Sequence, residues 1–171
     1  MPETMSDIFA GLTVRATVTE PLDTTTRNAA LAFSRSVTLD HGTGAGQVDK
    51  LYQDTNTLGP SATLDIDLVG ALTNVFGTAF NFARVKGLFV AAAGGNTNNV
   101  VVGGAAATQW VGPFGAAAHT IAVRPGGWFG IACVDATAWP AVGGASDLLR
   151  IANSGAGTDV TYTIVLLGSS A

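Results

Sequence analysis

The residues able to do chemistry in this chain are few and widely spaced. His41 and His119 are the two histidines, and Cys133 is the single cysteine. Nucleophilic catalysis sets a serine or cysteine beside a base that a third group orients. Neither histidine sits in such a motif, and G-x-S-x-G is absent. Asn153-Ser154-Gly155 reads as a turn, because a strand-like run rather than a helix follows it. One cysteine and two distant histidines give no metal-ligand spacing. The stretch His41–Gln47, HGTGAGQ, carries a nominal G-x-G-x-G. A dinucleotide cradle needs that loop between a strand and a helix, with an acidic residue about twenty positions on. Here a strand-like run follows, so the loop reads as a hairpin turn. Asp65 and Asp67, two apart on a strand, could hold Ca²⁺ or act as acid and base, or form a solvated face. No ligand cluster adjoins them, which favours the solvated face. Cys133 falls in a register that suits a small buried apolar residue. The chain therefore presents no catalytic, cofactor-binding or metal-binding residue, and the expectation is a protein that is not an enzyme.

The elements that would position any site are strands. His119–Asp135, HTIAVRPGGWFGIACVD, reads as two apolar β runs folded about Pro125-Gly126-Gly127. Ile121 and Val123 share one face of the first run; Phe129, Ile131 and Cys133 share one face of the second. Leu12–Thr19 alternates Leu12, Val14, Ala16 and Val18 against Thr13, Arg15, Thr17 and Thr19, and the Asp23–Asn28 cluster ends it as a loop. Leu31–Leu39 places Leu31, Phe33, Val37 and Leu39 on one face, with Arg35 in the same register. That arginine is either an edge device that snorkels or a buried interface pairing. Leu64, Ile66 and Leu68 point inward from the next strand. Gly70–Thr78 suggests a short helical turn, and Val85 and Phe89 are assigned to one face of the strand beyond it. Gly94–Asn99, GGNTNN, is a polar turn. Trp110 and Phe114 lie in a long small-residue loop, Trp139 lies in another, and Trp128 beside Phe129 reads as core. In Val160–Leu167 one face is apolar throughout, while the other changes from Thr161 and Thr163 to Val165 and Leu167. Such a strand is central, or partly covered by a partner. Turn signals every 8–15 residues and the lack of sustained helical periodicity predict an all-β fold, an antiparallel two-sheet sandwich or jelly roll. It is expected as a single domain, a β-sandwich over residues 12–171 with a short N-terminal arm over residues 1–11. The arm is polar except for Ile8 and Phe9.

Composition narrows the class of partner. Charged residues are 12% of the 171, about half the usual share, and 22 residues are glycine. The eight Lys and Arg are scattered and the net charge is −4, which argues against nucleic acid, since phosphate neutralisation needs clustered cations. No run of ~18 apolar residues predicts a membrane-spanning helix, and the N-terminus lacks the basic and apolar regions of a secretion signal. Low charge with much Gly, Ala and Thr suits a compact β shell with large contact surfaces.

Several phrases carry a resemblance: LDIDLVGALTNVFG, FARVKGLFV, NTNNVVVGGAA, HTIAVRPGGWFGIA and DLLRIANSGAGTDVTYTIVLLGSSA. From about Leu31 to the C-terminus the chain resembles small β-rich structural proteins encoded by tailed bacteriophages and prophages. The resemblance implies a virion structural protein, a capsid decoration (cement) protein or another small virion component. It implies a homo-oligomer, a trimer by the habit of decoration proteins. The partner would be the major capsid protein or another virion protein, and the place the capsid surface after synthesis in the bacterial cytoplasm. It carries over no site residue, and the first 20–30 residues lie outside it. The expected partner contacts are Ile8, Phe9, Arg35, Trp110, Phe114 and Trp139. The alternative is a carbohydrate- or receptor-binding module of a phage tail or fibre, using Trp110, Trp139 and the GGNTNN turn.

Overall fold

The computed structural model describes residues 4–70 and 72–171. It is all-β: the strands are β1 (Ile8–Pro21), β2 (Thr26–His41), β3 (Gln47–Val48), β4 (Lys50–Leu58), β5 (Thr63–Asp67), β6 (Leu72–Thr73) and β7 (Ala79–Phe80). They continue as β8 (Arg84–Ala92), β9 (Val100–Gly103), β10 (Thr120–Val123), β11 (Trp128–Ala132), β12 (Trp139–Pro140), β13 (Leu148–Asn153) and β14 (Val160–Ser169). The only helical segment among the described residues is a 3₁₀ turn at Gly112–Phe114. Two antiparallel sheets form a sandwich-like body. The front sheet runs β10-β9-β13-β5 and the back sheet β11-β8-β14-β4, with β12 beside one end of β8.

Alternation explains the core. Val100, Val102, Leu149 and Ile151 face inward from the front sheet; Leu88, Val90, Ile164 and Leu166 face them from the back. Each is at most 1% exposed, the pattern of two half-buried sheets sharing one interior. Leu64 and Ile66 turn inward and Asp65 and Asp67 outward, as the period requires. The final strand β14 is central, paired with β4 on one side and β8 on the other.

Chain path departs from expectation in four places. The segment about Pro125-Gly126-Gly127 is not a hairpin. β10 pairs with β9 in the front sheet and β11 with β8 in the back sheet. The turn instead bonds to the end of β8, Ala92 donating to Gly127 and Gly126 to Ala93. A corner between sheets keeps the same inward alternation as a hairpin, so periodicity cannot separate them. Second, Val85 and Phe89 lie on opposite faces. The β8–β14 register shifts at Leu167/Gly168, where Lys86 is the extra residue of a β-bulge. Gly168 permits the close approach, since a Cβ there would strike the Arg84 carbonyl and the Phe82 ring. Third, the region read as a helical turn is the small β6–β7 hairpin, with Leu72 opposite Phe80. Its tip is closed by the Asn74 side chain, which accepts from the Phe76 and Thr78 amides at 3.0 and 2.9 Å. Fourth, the glycine loop after β2 is not a hairpin turn: it curls fully round, so that β3 runs parallel to β2, His41 opposite Val48.

The largest departure is at the N-terminus. The sequence predicts an arm at residues 1–11 and a sandwich that begins at Leu12. β1 starts at Ile8 and pairs with β2 along its whole length, from Ile8↔Leu39 to Pro21↔Thr26. Neither strand joins the sandwich sheets. Met1–Glu3 of the expected arm lie outside the described residues.

Candidate functional site

Among the described residues, the β1–β2 hairpin is anchored only at its root. Ile8, Leu39, Val48 and Leu167 form a small second core, with Met5, Val37, Leu51 and Phe89 packed round it. Leu167 belongs to the back sheet's outer face, so the hairpin root covers the apolar half of β14 that the sequence left without a cover. Lys86, bulged out of β8 and fully buried, ties the glycine loop down. Its ammonium donates to the Gly44 carbonyl and, at 2.8 Å, to the Gln47 carbonyl. Burial pulls its pKa below the usual lysine range, with the nearby Cys133 and Asp135 acting in the opposite sense. Gly46 adds a backbone bond to Val134 at 2.7 Å.

Beyond the root, every residue from Gly11 to Ser36 is exposed. Cross-strand partners share a face, so the register sorts this arm into two. One face carries Leu12, Val14, Ala16 and Val18 opposite Arg35, Phe33, Leu31 and Ala29. The other carries Thr13, Arg15, Thr17 and Thr19 opposite Ser34, Ala32, Ala30 and Asn28. Val18 is 66% exposed, Leu31 60% and Phe33 44%. Arg35 lies over the Phe33 ring at 5.3 Å and donates to the Ser34 carbonyl at 3.1 Å. It is exposed and stacked on its own apolar face. A two-stranded ribbon with a bare apolar face is marginal in water. Each of its large side chains would contribute about 1.5–3 kcal/mol if covered.

At the root the arm and the outer face of the back sheet enclose an apolar groove of about 710 Å³, lined by Ile8, Phe9, Leu51, Phe89 and Val165 with the β6–β7 tip. At that tip Val75 is 70% and Phe76 81% exposed. A second hollow of about 240 Å³ lies between Leu12, Arg35 and Val37 of the arm and Phe89, Trp128 and Ala132 of the sheet. Phe89 lies across Gly130, where a Cβ would collide with its ring. Glycine here makes the floor of the hollow an aromatic surface. Away from the arm the same sheet face turns polar, with hydroxyl pairs Thr55–Thr163 and Thr57–Thr161 at 2.9 Å.

The expected contact residues divide. Phe9 is 67% exposed and lines the groove, whereas Ile8 is 7% exposed and belongs to the root's own core. Trp110 and Phe114 are corrected: they sit in the sandwich core at 0% and 8% exposure. Their rings meet edge to face at 6.2 Å, and the Trp110 indole N–H donates to the Pro140 carbonyl at 3.0 Å. The small-residue loop closes over the end of the sandwich instead of presenting these aromatics. Trp139 is half-buried against the same core. Trp128, read as core, is 60% exposed on the back sheet's outer face. The GGNTNN turn is bonded inward: Asn96 exchanges two bonds with the Thr161 backbone, and Asn98 donates to Asn153 and Gly155.

The groups that looked able to do chemistry are employed locally. His41 accepts from the Met5 amide at 3.2 Å, and His119 bonds the Phe114 carbonyl at 2.8 Å. Asp65 holds Arg150 in a two-pronged pair with both contacts at 2.7 Å. Asp67 accepts from the Val69 amide at 2.9 Å. Burial pushes the Cys133 thiol up to about 11, so at neutral pH it is a protonated, poor nucleophile. Among the described residues no group of three or more His, Cys, Asp and Glu is placed to share a metal ion. No helix among them is long and apolar enough to cross a membrane.

Comparison with protein-family models, with curated proteins and with solved structures finds no match to this chain.

Proposed function

We propose that this chain is a bacteriophage virion structural protein, a capsid decoration protein that acts by burying its surface against neighbouring subunits of the particle. One observation supports the reading above the others: an arm with one apolar face, exposed from Gly11 to Ser36, stands on a sandwich-like β body. A ribbon of this kind gains its stability from what covers it. The low charge and the resemblance to small β-rich phage proteins agree with a protein whose partners are other virion proteins. The sugar-binding alternative rested on Trp110, which is buried, on Trp139, which is half-buried against the core, and on a turn in which Asn96 and Asn98 are bonded inward. No observation favours it.

The test is co-sedimentation with expanded heads of the phage or prophage that encodes the chain. The wild-type chain is expected to sediment with heads to a saturating, fixed ratio. A variant in which Leu12–Arg35 is replaced by a short turn should keep its β spectrum and lose head binding. A wild-type chain that ignores heads contradicts the decoration reading.

A further inference from the structure

We propose that copies of this chain assemble by reciprocal arm exchange, the apolar face of one copy's β1–β2 arm lying in the groove at the arm root of the next. The inference rests on the reading of the chain as an assembly subunit and names the partner of its arm as a second copy of itself.

Three features support the copy as occupant. The arm's register is unbroken from Ile8↔Leu39 to Pro21↔Thr26. With no bulge to bend it, the ribbon cannot turn back to lay Val14, Val18 and Leu31 in the groove at its own root. The face and the groove are complementary in character yet can meet only between molecules.

Area gives the second argument. From Leu12 to Pro21 the ribbon extends ~34 Å at ~3.4 Å per residue, and two strands ~4.8 Å apart make it ~10 Å wide. One arm laid on a foreign surface covers a footprint of ~340 Å², well under the ~800 Å² per partner of a stable interface. A copy that both gives an arm and receives one doubles that footprint to ~680 Å², close to the standard figure, and the received arm is what fills the groove of about 710 Å³. Exchange of this kind closes under rotational symmetry, leaving no apolar face bare.

Charge gives the third. Residues 12–35 hold Arg15, Arg27 and Arg35 against Glu20 and Asp23, a surplus of one positive charge. The whole chain carries −4, so the remainder carries −5. A cationic arm meets an anionic body in every copy, and Asp7 stands on the groove wall. Opposite signs favour encounter between copies in this orientation.

The experiment is a mixing cross-link in a Cys133→Ser background. One preparation carries Phe33→Cys on the arm and a second carries Trp128→Cys in the hollow beside the groove; both positions are exposed, so neither change disturbs the core. Mixed at tens of micromolar and mildly oxidised, the two should yield a covalent heterodimer. Phe33→Cys mixed with Thr63→Cys, on the far edge of the front sheet, should yield at least about tenfold less. Light scattering on the parent should show a multimer that Leu31→Asp dissociates. A multimer that cross-links equally at both sites overturns arm exchange and leaves the assembly reading standing. A strict monomer overturns arm exchange too, and sedimentation with heads then judges the assembly reading separately.

Discussion

Strand β14 and strand β1 are written in the same grammar and live in different surroundings. Val160, Tyr162, Ile164 and Leu166 alternate with their neighbours and are at most 1% exposed. Leu12, Val14 and Val18 alternate just as regularly and are 40%, 46% and 66% exposed. The difference lies in the cover. β14 has a strand on each side and a second sheet over its inner face, all supplied by this chain. β1 has one neighbour and, among the described residues, nothing over its apolar face past its root. Alternation therefore reports that a strand has an apolar side, and says nothing of which molecule covers it.

Truncation at matched positions should separate the two regions most strongly. Ile164→Ala leaves a cavity between the sheets and is expected to cost about 2–5 kcal/mol in denaturant unfolding. Leu31→Ala on the arm should cost under about 0.5 kcal/mol in dilute, unassembled protein. Equal costs would mean that the arm is already covered in the free subunit.

The joint between the regions is Lys86. Replacing it with methionine keeps the length of the side chain but takes the ammonium from the Gln47 carbonyl and leaves the Gly44 carbonyl with the Gln47 amide, at 3.2 Å, as its remaining donor. An orphaned buried acceptor costs about 1–3 kcal/mol, so Lys86→Met should lower stability by that order. Proteolysis in the 42–47 loop should quicken at the same time. Unchanged stability would show that water or another group satisfies those carbonyls equally well. Removing residues 1–11 should do comparable harm, because it takes Ile8 and Ala10 from the root.

A smaller effect belongs to the body alone. Burial, with a lesser contribution from the Asp54 charge, pushes Tyr52 up to about 12, and burial also raises Tyr162. An unfolded tyrosine titrates near ~10. The folded state thus holds these phenols neutral longer than the unfolded state does. Their contribution is complete below about pH 10 and is lost as pH climbs through about 12. Tyr52→Phe should accordingly lose less stability than wild type across that window. The arm contains no tyrosine, so its truncation should leave the alkaline slope alone. An identical slope for wild type and Tyr52→Phe would contradict the assignment.

What could be read from the sequence follows the same division. The all-β class, the central place of β14, the inward set of β5 and the Leu31–Leu39 face were legible, because each depends only on alternation within one strand. Sheet membership was not. The Pro125 corner and a hairpin give the same pattern, and one bulge residue, Lys86, inverts the face of everything beyond it. The aromatics misled for a related reason. Trp110 lies among glycines and alanines that look mobile, yet that loop folds over the sandwich end; Trp128 lies in a strand that looks internal, yet faces out across Gly130. The arm was not legible: β1 and β2 are 14 and 16 residues long, but alternation marks only Leu12–Thr19 and Leu31–Leu39 within them, runs of ordinary length.

Amide hydrogen exchange through Gly11–Ser36, followed in dilute subunit and in the assembled state, tests the central claim most directly. In the dilute chain these amides should exchange orders of magnitude faster than those of β8 and β14, because the ribbon opens without disturbing the sandwich. On assembly they should slow by at least about tenfold while the sandwich amides stay as they were. Arm protection that matches the core in dilute monomer, or that does not change on assembly, would contradict the account.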